Sequence, residues 1–359
     1  MSRAHRTFIV LAVMVSIAGG AFAWRGAIGI ALMRRMAART IFNDTIATLP
    51  DGLHVGLCGT GSPFPSPTRS GPCTAVVAGR RLYIVDAGRG AASVVARMGL
   101  QTSRIGAVLL THYHADHIDG LGQLAETHWL AGGAKTPLVV MGPAGVERVV
   151  NGFNDAYALN GSYRIAVDGP AVAAPTGLGL TARTFEIRAE EDSAIVLQQD
   201  GLRVTAFNVD HEIGGPAVGY RFEYKGRSVV ISGDTAKSTN LARVARGADL
   251  LVHEAMSPRL VDVLKEEAVA AGRVNPVQLL QNLQALHTPP GDAADVATEA
   301  GAHALVLTHL IPPLPGGILQ GPFLDGAQRR FKGPLWIGED GDLISVPSGG
   351  GTPTTRNLF

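Results

Sequence analysis

The sequence predicts an α+β fold, with β-sheets whose outer faces are covered by helices. Three observations carry the prediction. From His54 onward, short β-branched runs alternate with turns marked by glycine or proline. Segments of helical periodicity recur between those runs. Four of the strand-like runs end in histidine or aspartate, side chains that are costly to bury without partners. With 46% hydrophobic and 17% charged residues in 359, the composition is globular rather than disordered, and no repeat or interior linker divides the body.

Arg3 and Arg6 precede an apolar run from Phe8 to Ala23, and Ala21-Phe22-Ala23 has the small-x-small pattern of a signal-peptidase site. The run sits at or just below the length that spans a bilayer. Residues 1–23 therefore read as a cleaved export signal or an uncleaved membrane anchor. A second apolar patch, Ala27 to Met33, followed by Arg34-Arg35, adds a membrane-associated stem to these arrangements. Each puts the catalytic body outside the cytoplasm, periplasmic or tethered to the membrane. Without residues 1–23 the formal charge falls from +1 to −1, which carries no global signature of nucleic-acid binding. Residues 24–51 read as a linker, polar over 34–51.

The body is expected over 52–346. Val55–Cys58 leads into the loop Gly59-Thr60-Gly61-Ser62-Pro63, and Ala75–Ala78 and Leu82–Val85 flank the hairpin-like break Gly79-Arg80-Arg81. Helical periodicity marks Ala91–Met98, Leu121–Leu130, Val261–Ala271 and Val277–Leu286. Strand-like runs recur at Ala107–Leu110, Leu138–Met141, Val204–Asn208, Arg221–Tyr224, Val229–Ser232, Leu250–Val252 and Leu305–Leu307. The tail, 347–359, is rich in Gly, Ser, Thr and Pro and reads as disordered. Cys58 and Cys73 can pair in an exported protein or lie as two buried thiols on neighbouring strands, and neither has zinc-ligand spacing.

The stretch Thr111-His112-Tyr113-His114-Ala115-Asp116-His117 directly follows the apolar run ending at Leu110. Three imidazoles and a carboxylate so close together suit Zn²⁺ or a related divalent ion. A polar surface loop explains such a cluster poorly. The same context, a strand ending in a ligand-type residue, picks out Asp210-His211 after Val204–Asn208, Asp234 after Val229–Ser232, and His309 after Leu305–Leu307. Singly, each is an ordinary polar residue at a strand end. Together with the histidine cluster they make four strand ends that can meet at one edge of a sandwich.

The order H-x-H-x-D-H, then His, Ser-Gly-Asp-Thr and Thr-His resembles the metallo-β-lactamase fold hydrolases over residues 52–345. The resemblance implies an αββα sandwich with two Zn²⁺ per chain. His112, His114 and His211 would hold one ion, Asp116, His117 and His309 the other, and Asp234 would bridge them. Ions about 3.5–4 Å apart can share a hydroxide and clamp the oxygens of a displacement. The commonest true β-lactamases carry Cys at the Asp234 position, which disfavours that activity. Leu251-Val252-His253-Glu254-Ala255 resembles the His-Glu-Ala motif of ribonuclease Z, and His287-Thr288 its His-Ser/Thr motif. Carried over, Glu254 and His287 pass a proton to the leaving oxygen. Thr127-His128-Trp129-Leu130, Gly142-Pro143-Ala144-Gly145 and Asp155-Ala156-Tyr157 look similar to arylsulfatase-like members of the same branch. Asp86 reads equally as an orienting partner for a ligand histidine or a turn cap, and His128 and His253 as ordinary structural histidines.

What the resemblance implies is a hydrolase cleaving a small-molecule phosphodiester or sulfate ester, with Asp116 orienting the nucleophile. A lactone- or thioester-cleaving enzyme and a non-catalytic metal-binding member are the alternatives. A membrane tether at the N-terminus and a homodimer fit the same frame. Ribonuclease Z grips tRNA with a protruding basic arm, and the stretch placed nearest to it here, Ala171–Asp200, has net charge −3. That sign is wrong for a phosphate backbone, so tRNA is not the expected partner.

Overall fold

The computed structural model describes residues 24–359 apart from 42, 189 and 212–214, together with His5, Thr7, Met14, Gly20 and Phe22. The chain divides into two compact units, Met1–Asp44 and Thr45–Phe359. In the first, Arg25–Ile41 is a helix. The stretch read as a linker is thus largely helical, because Ala, Met, Leu and Arg dominate it and are strong helix formers. Most of the expected export segment lies outside the described residues. Among the described residues no helix is long and apolar enough to cross a membrane.

The second unit is built on two sheets. Its strands are β1 (Gly52–Gly59), β2 (Cys73–Ala78), β3 (Arg81–Val85), β4 (Ile105–Leu109), β5 (Leu138–Gly142), β6 (Leu180–Thr184), β7 (Ser193–Gln199), β8 (Leu202–Asn208), β9 (Val218–Tyr224), β10 (Arg227–Ile231), β11 (Leu250–Met256), β12 (Leu305–Ile311), β13 (Leu335–Ile337), β14 (Asp342–Pro347) and β15 (Thr354–Asn357). Among the described residues, one sheet has the order β15-β14-β1-β2-β3-β4-β5-β6 and the other β13-β12-β11-β10-β9-β8-β7.

Strand alternation divides the apolar interior into layers. Leu82 and Ile84 of β3 enter the core beneath the helices Ala91–Arg97 and Leu121–Leu130, whereas Tyr83 and Val85 enter the core between the sheets. On the other side, Leu305 and Leu307 of β12 face the core beneath helix Pro290–Glu299, and Val306 faces the sheet partner. Period-2 alternation between two buried faces gives the nearly continuous apolar runs seen in the sequence. The layers are helix, sheet, sheet, helix, the expected sandwich.

Topology places the site. β3, β4, β5 and β6 run parallel, as do β10, β11, β12 and β13. Parallel strands share one carboxyl edge, and ligands collect at such edges in α/β sheets. Asp86, Thr111, Ser232, Glu254 and His309 all lie at or just beyond those ends.

Other elements depart from expectation. The helix Val146–Val172 is kinked at Gly169, where φ is 73° just before Pro170. Ala171–Asp200 forms no separate arm, because it contributes β6 and β7, the edge strands of the two sheets. The tail read as disordered ends in β15, which pairs with β14 and is held by Asn357 Nδ2 donating to Asp342 Oδ1 at 2.9 Å. Its run of Thr residues favours a strand once the glycines have turned the chain. Thr45 and Ile46 are buried, so the body begins before Gly52. Cys58 and Cys73, on neighbouring strands, form a disulfide.

Candidate metal centre

His112 and His114 leave β4 in extended conformation, so their side chains can point the same way. The one-turn helix Ala115–Ile118 then redirects Asp116 and His117. These four meet His211, Asp234 and His309 from the second sheet. Donor atoms of His112, His114, His211 and Asp234 lie within 4.8 Å of one another, and so do those of Asp116, His117 and His309. All seven residues singled out in the sequence therefore converge. His114 is exposed and Asp116 partly so, which makes theirs the open side of a buried cluster.

The geometry within the first group fits a cation. His114 Nδ1 lies 2.9 Å from His112 Nε2 and 3.3 Å from His211 Nε2. Three imidazole nitrogens aimed at one point need a positive charge between them if each presents a lone pair. The opposite ring nitrogens show that two do. His211 Nδ1 is 3.0 Å from the Leu286 carbonyl, which can only accept, so Nδ1 carries the proton and Nε2 the lone pair. Thr111 Oγ1 donates to Asp86 Oδ2 at 2.9 Å, which leaves its oxygen to accept from His112 Nδ1 at 3.0 Å.

Asp86 organises the second group in the same manner. Its Oδ2 accepts from His117 Nδ1 at 2.9 Å, and its Oδ1 from the Thr111 backbone N–H at 2.8 Å. It orients two histidines, one directly and one through Thr111. His117 Nε2 then faces Asp234 Oδ2 at 3.2 Å, and His309 Nε2 faces the same oxygen at 3.2 Å. Asp234 thus touches both groups. Burial opposes its charge, but His117 and His309 hold its carboxyl well below the usual range. Burial likewise opposes a proton on His117, where Asp234 and Asp86 outweigh it and raise the group. Asp86 and His309 adopt left-handed backbone at φ 59° and 47°, unusual for non-glycine residues and typical of functional sites.

Glu254 and His287 stand beside this cluster. His287 Nδ1 donates to Glu254 Oε1 at 3.1 Å, and that oxygen also accepts from Thr235 N at 3.2 Å and Thr288 N at 3.0 Å. A His287 ring nitrogen falls within 4.8 Å of the donor atoms of Asp234 and His309. Burial disfavours the imidazolium, but the Glu254 carboxylate outweighs it and lifts His287 to about 8. His253 is buried with Nδ1 2.7 Å from the Glu254 carbonyl, and His128 bonds the Thr102 carbonyl at 2.9 Å. Both are structural.

The sequence reading missed the hydroxyls. Thr111, Thr235 and Thr288 each tie a ligand loop to its neighbour, Thr288 Oγ1 donating to the Thr235 carbonyl at 2.6 Å. Each is adjacent to a functional residue, the one signal that pointed to them.

A family model described as a Beta-lactamase superfamily domain matches residues 81–310. Ribonuclease Z of Mycolicibacterium paratuberculosis is 34% identical over 296 residues, covering 82% of this chain and 98% of that protein. Ribonuclease Z of Mycolicibacterium gilvum is 33% identical over 299 residues, covering 83% and 97%. The crystal structure of human tRNase Z, short form, is similar with a TM-score of 0.59 at 24% identity, covering 82% of this chain and 99% of that one. On the motifs, the two-sheet fold and these matches, the chain belongs to the metallo-β-lactamase fold family, as a ribonuclease Z-like member.

Proposed function

We propose that this chain is a metal-dependent phosphodiesterase acting on a small ester, with two Zn²⁺ at the paired donor groups. The observation that carries the reading is the Glu254–His287 pair set beside the cluster, a buried proton donor suited to a basic alkoxide leaving group. Similarity to ribonuclease Z over most of the chain favours a phosphodiester above a sulfate ester, lactone or thioester. The donor set of imidazoles and carboxylates suits zinc. Bound there, divalent ions supply an activated water at neutral pH and neutralise charge on the phosphoryl oxygens.

The protein groups do the rest. Asp116, partly open to solvent, orients the attacking water. His287 is engaged through Nδ1, so its Nε2–H is the proton that goes to the leaving oxygen. Glu254, pinned by two backbone N–H groups, holds the imidazole protonated and correctly turned. Since the acid form is required, kcat/KM should fall as the pH rises through about 8, and a neighbouring cation can only move that limb lower. Glu254→Gln should lower it further, and an alkaline limb indifferent to that change would separate His287 from protonation.

Elemental analysis of protein purified without chelator should find about two ions per chain. Zero or one, with all seven side chains intact, would defeat the dinuclear reading.

The relatives' name points to RNA, whereas this chain's own surface points away from it. The link from β6 to β7 leaves beside Gly142 and returns beside Asn208, at the metal edge. There it exposes Glu186, Glu190, Glu191 and Asp192 against its own Arg188 and against Arg243 of the neighbouring helix, which pairs with Asp192 at 3.4 Å. Such a rim repels a polyanion. The purified protein is therefore expected to hydrolyse a chromogenic small phosphodiester and to leave precursor tRNA intact. Efficient, salt-sensitive cleavage of precursor tRNA would instead make this a ribonuclease. The arginine-flanked apolar start and the Cys58–Cys73 disulfide support a body outside the cytoplasm.

A further inference from the structure

The disulfide closes the loop 59–72, and that loop leans on the Asp116, His117 and His309 group from two sides. On one side the Thr60 carbonyl accepts from Leu310 N at 3.0 Å, immediately after the left-handed His309. Thr60 is itself fixed by Asp340 Oδ1, which accepts from its N–H at 2.9 Å, and by Arg69 Nη1, which donates to its hydroxyl at 2.6 Å. On the other side Gly71 and Gly88 press against the Asp116 carbonyl, so closely that a Cβ at Gly88 would lie 2.3 Å from it. The bonds Gly71 N to Arg89 O and Gly88 N to Pro72 O, both 2.9 Å, lock that contact, and Ala87 N reaches the His117 carbonyl at 2.8 Å. Cys73 lines a cavity of about 30 Å³ together with His117, Asp234, Glu254 and His309.

Among the described residues no hydrogen bond ties the loop to His112, His114 or His211. The disulfide thus braces one donor group and not the other. We propose that Cys58–Cys73 is a redox switch on the metal position formed by Asp116, His117 and His309, so that reduction weakens that position while sparing the one at His112, His114 and His211. The proposal rests on the metal-centre reading above. In a cell the reductant is a low-molecular-weight thiol: its thiolate attacks one Sγ, the S–S bond breaks, a second such thiol resolves the mixed disulfide, the two leave as their own disulfide, and the protons they gave up complete the two cysteine thiols. An exported chain acquires its second ion only once the disulfide has closed. Both sulfurs are buried, so the loop must open for attack, and an ion that stabilises the closed loop lowers the open population and with it the rate of reduction.

The test uses the full chain, oxidised or reduced with tris(2-carboxyethyl)phosphine, which leaves as its oxide and does not add a competing thiol. Zinc affinity is read by competition with a chromogenic chelator, thiols by titration, and folding by circular dichroism. The oxidised chain should hold two ions. The reduced chain and the Cys58→Ala/Cys73→Ala variant should bind one of them at least about 10-fold more weakly. Zinc should also slow the appearance of thiols. If oxidised and reduced chains bind zinc alike, or reduction lowers only the melting temperature, the switch is wrong and the metal centre stands. If the oxidised chain itself binds none, the metal-centre reading fails first. Equal weakening at both positions, with the fold retained, would also overturn the proposal.

Discussion

Replacing Asp234 with alanine should abolish turnover and release at least one ion while both sheets remain standing. Its Oδ2 lies 3.2 Å from His117 Nε2 and His309 Nε2, 3.9 Å from His112 Nε2 and 4.0 Å from His211 Nε2. No other carboxylate among the described residues reaches both donor groups. Losing an outer partner of a metal ligand typically costs about 10–100-fold in affinity, and losing a shared ligand should cost more. The fold should survive because Asp234 lies in the loop beyond β10 and fills no core. Metal content, kcat/KM and thermal melting of the variant distinguish these effects. Near wild-type activity would remove Asp234 from the bridging position.

The second large effect depends on the substrate. His287→Ala should slow diesters with a basic alkoxide leaving group by roughly 10²–10⁴-fold, the usual contribution of a positioned general acid. Diesters that release an acidic nitrophenolate need little protonation and should slow far less. Metal content should not change, since the seven donors are untouched. The decisive quantity is the ratio of the two losses in kcat/KM along a leaving-group series. A uniform loss, or none, would make His287 a structural residue at the end of helix Val274–Leu286 and bring the lactone or thioester reading forward.

Most donor residues were legible because they are rare residue types near the ends of β4, β10 and β12, buried strands whose apolar runs are nearly continuous. Asp86 was ambiguous for a physical reason. A turn cap and a histidine partner look alike in one dimension, and only the pairing of β3 with β4 puts it beside Thr111 and His117. The partners of the threonine hydroxyls were unreadable on the same ground, since Thr235 and Thr288 meet across 53 positions of chain. The helix Val146–Val172 went unread because it leaves Leu159, Tyr163 and Val167 exposed, which blurs the apolar periodicity. β6 and β7 are edge strands, only partly buried, and lack the continuous apolar run of their central neighbours. The helix Arg25–Ile41 and β15 were misjudged by composition, the first for its arginines and the second for the glycines before it.

The placement of the donors on two separate sheets has a thermodynamic consequence. His112, His114, Asp116 and His117 follow a strand of the first sheet, whereas His211 and Asp234 follow strands of the second and His309 lies within β12. Either half-site is incomplete until the layers dock, so an ion distinguishes the closed sandwich from every partly assembled chain. Each bound ion then acts as a non-covalent rivet between layers. At a free concentration 100 times its Kd it deepens the native well by about 2.7 kcal/mol, a sizeable fraction of the stability of an ordinary domain. With the proposed ions in place, metal supply would set both the number of competent active sites and the stability of the folded chain.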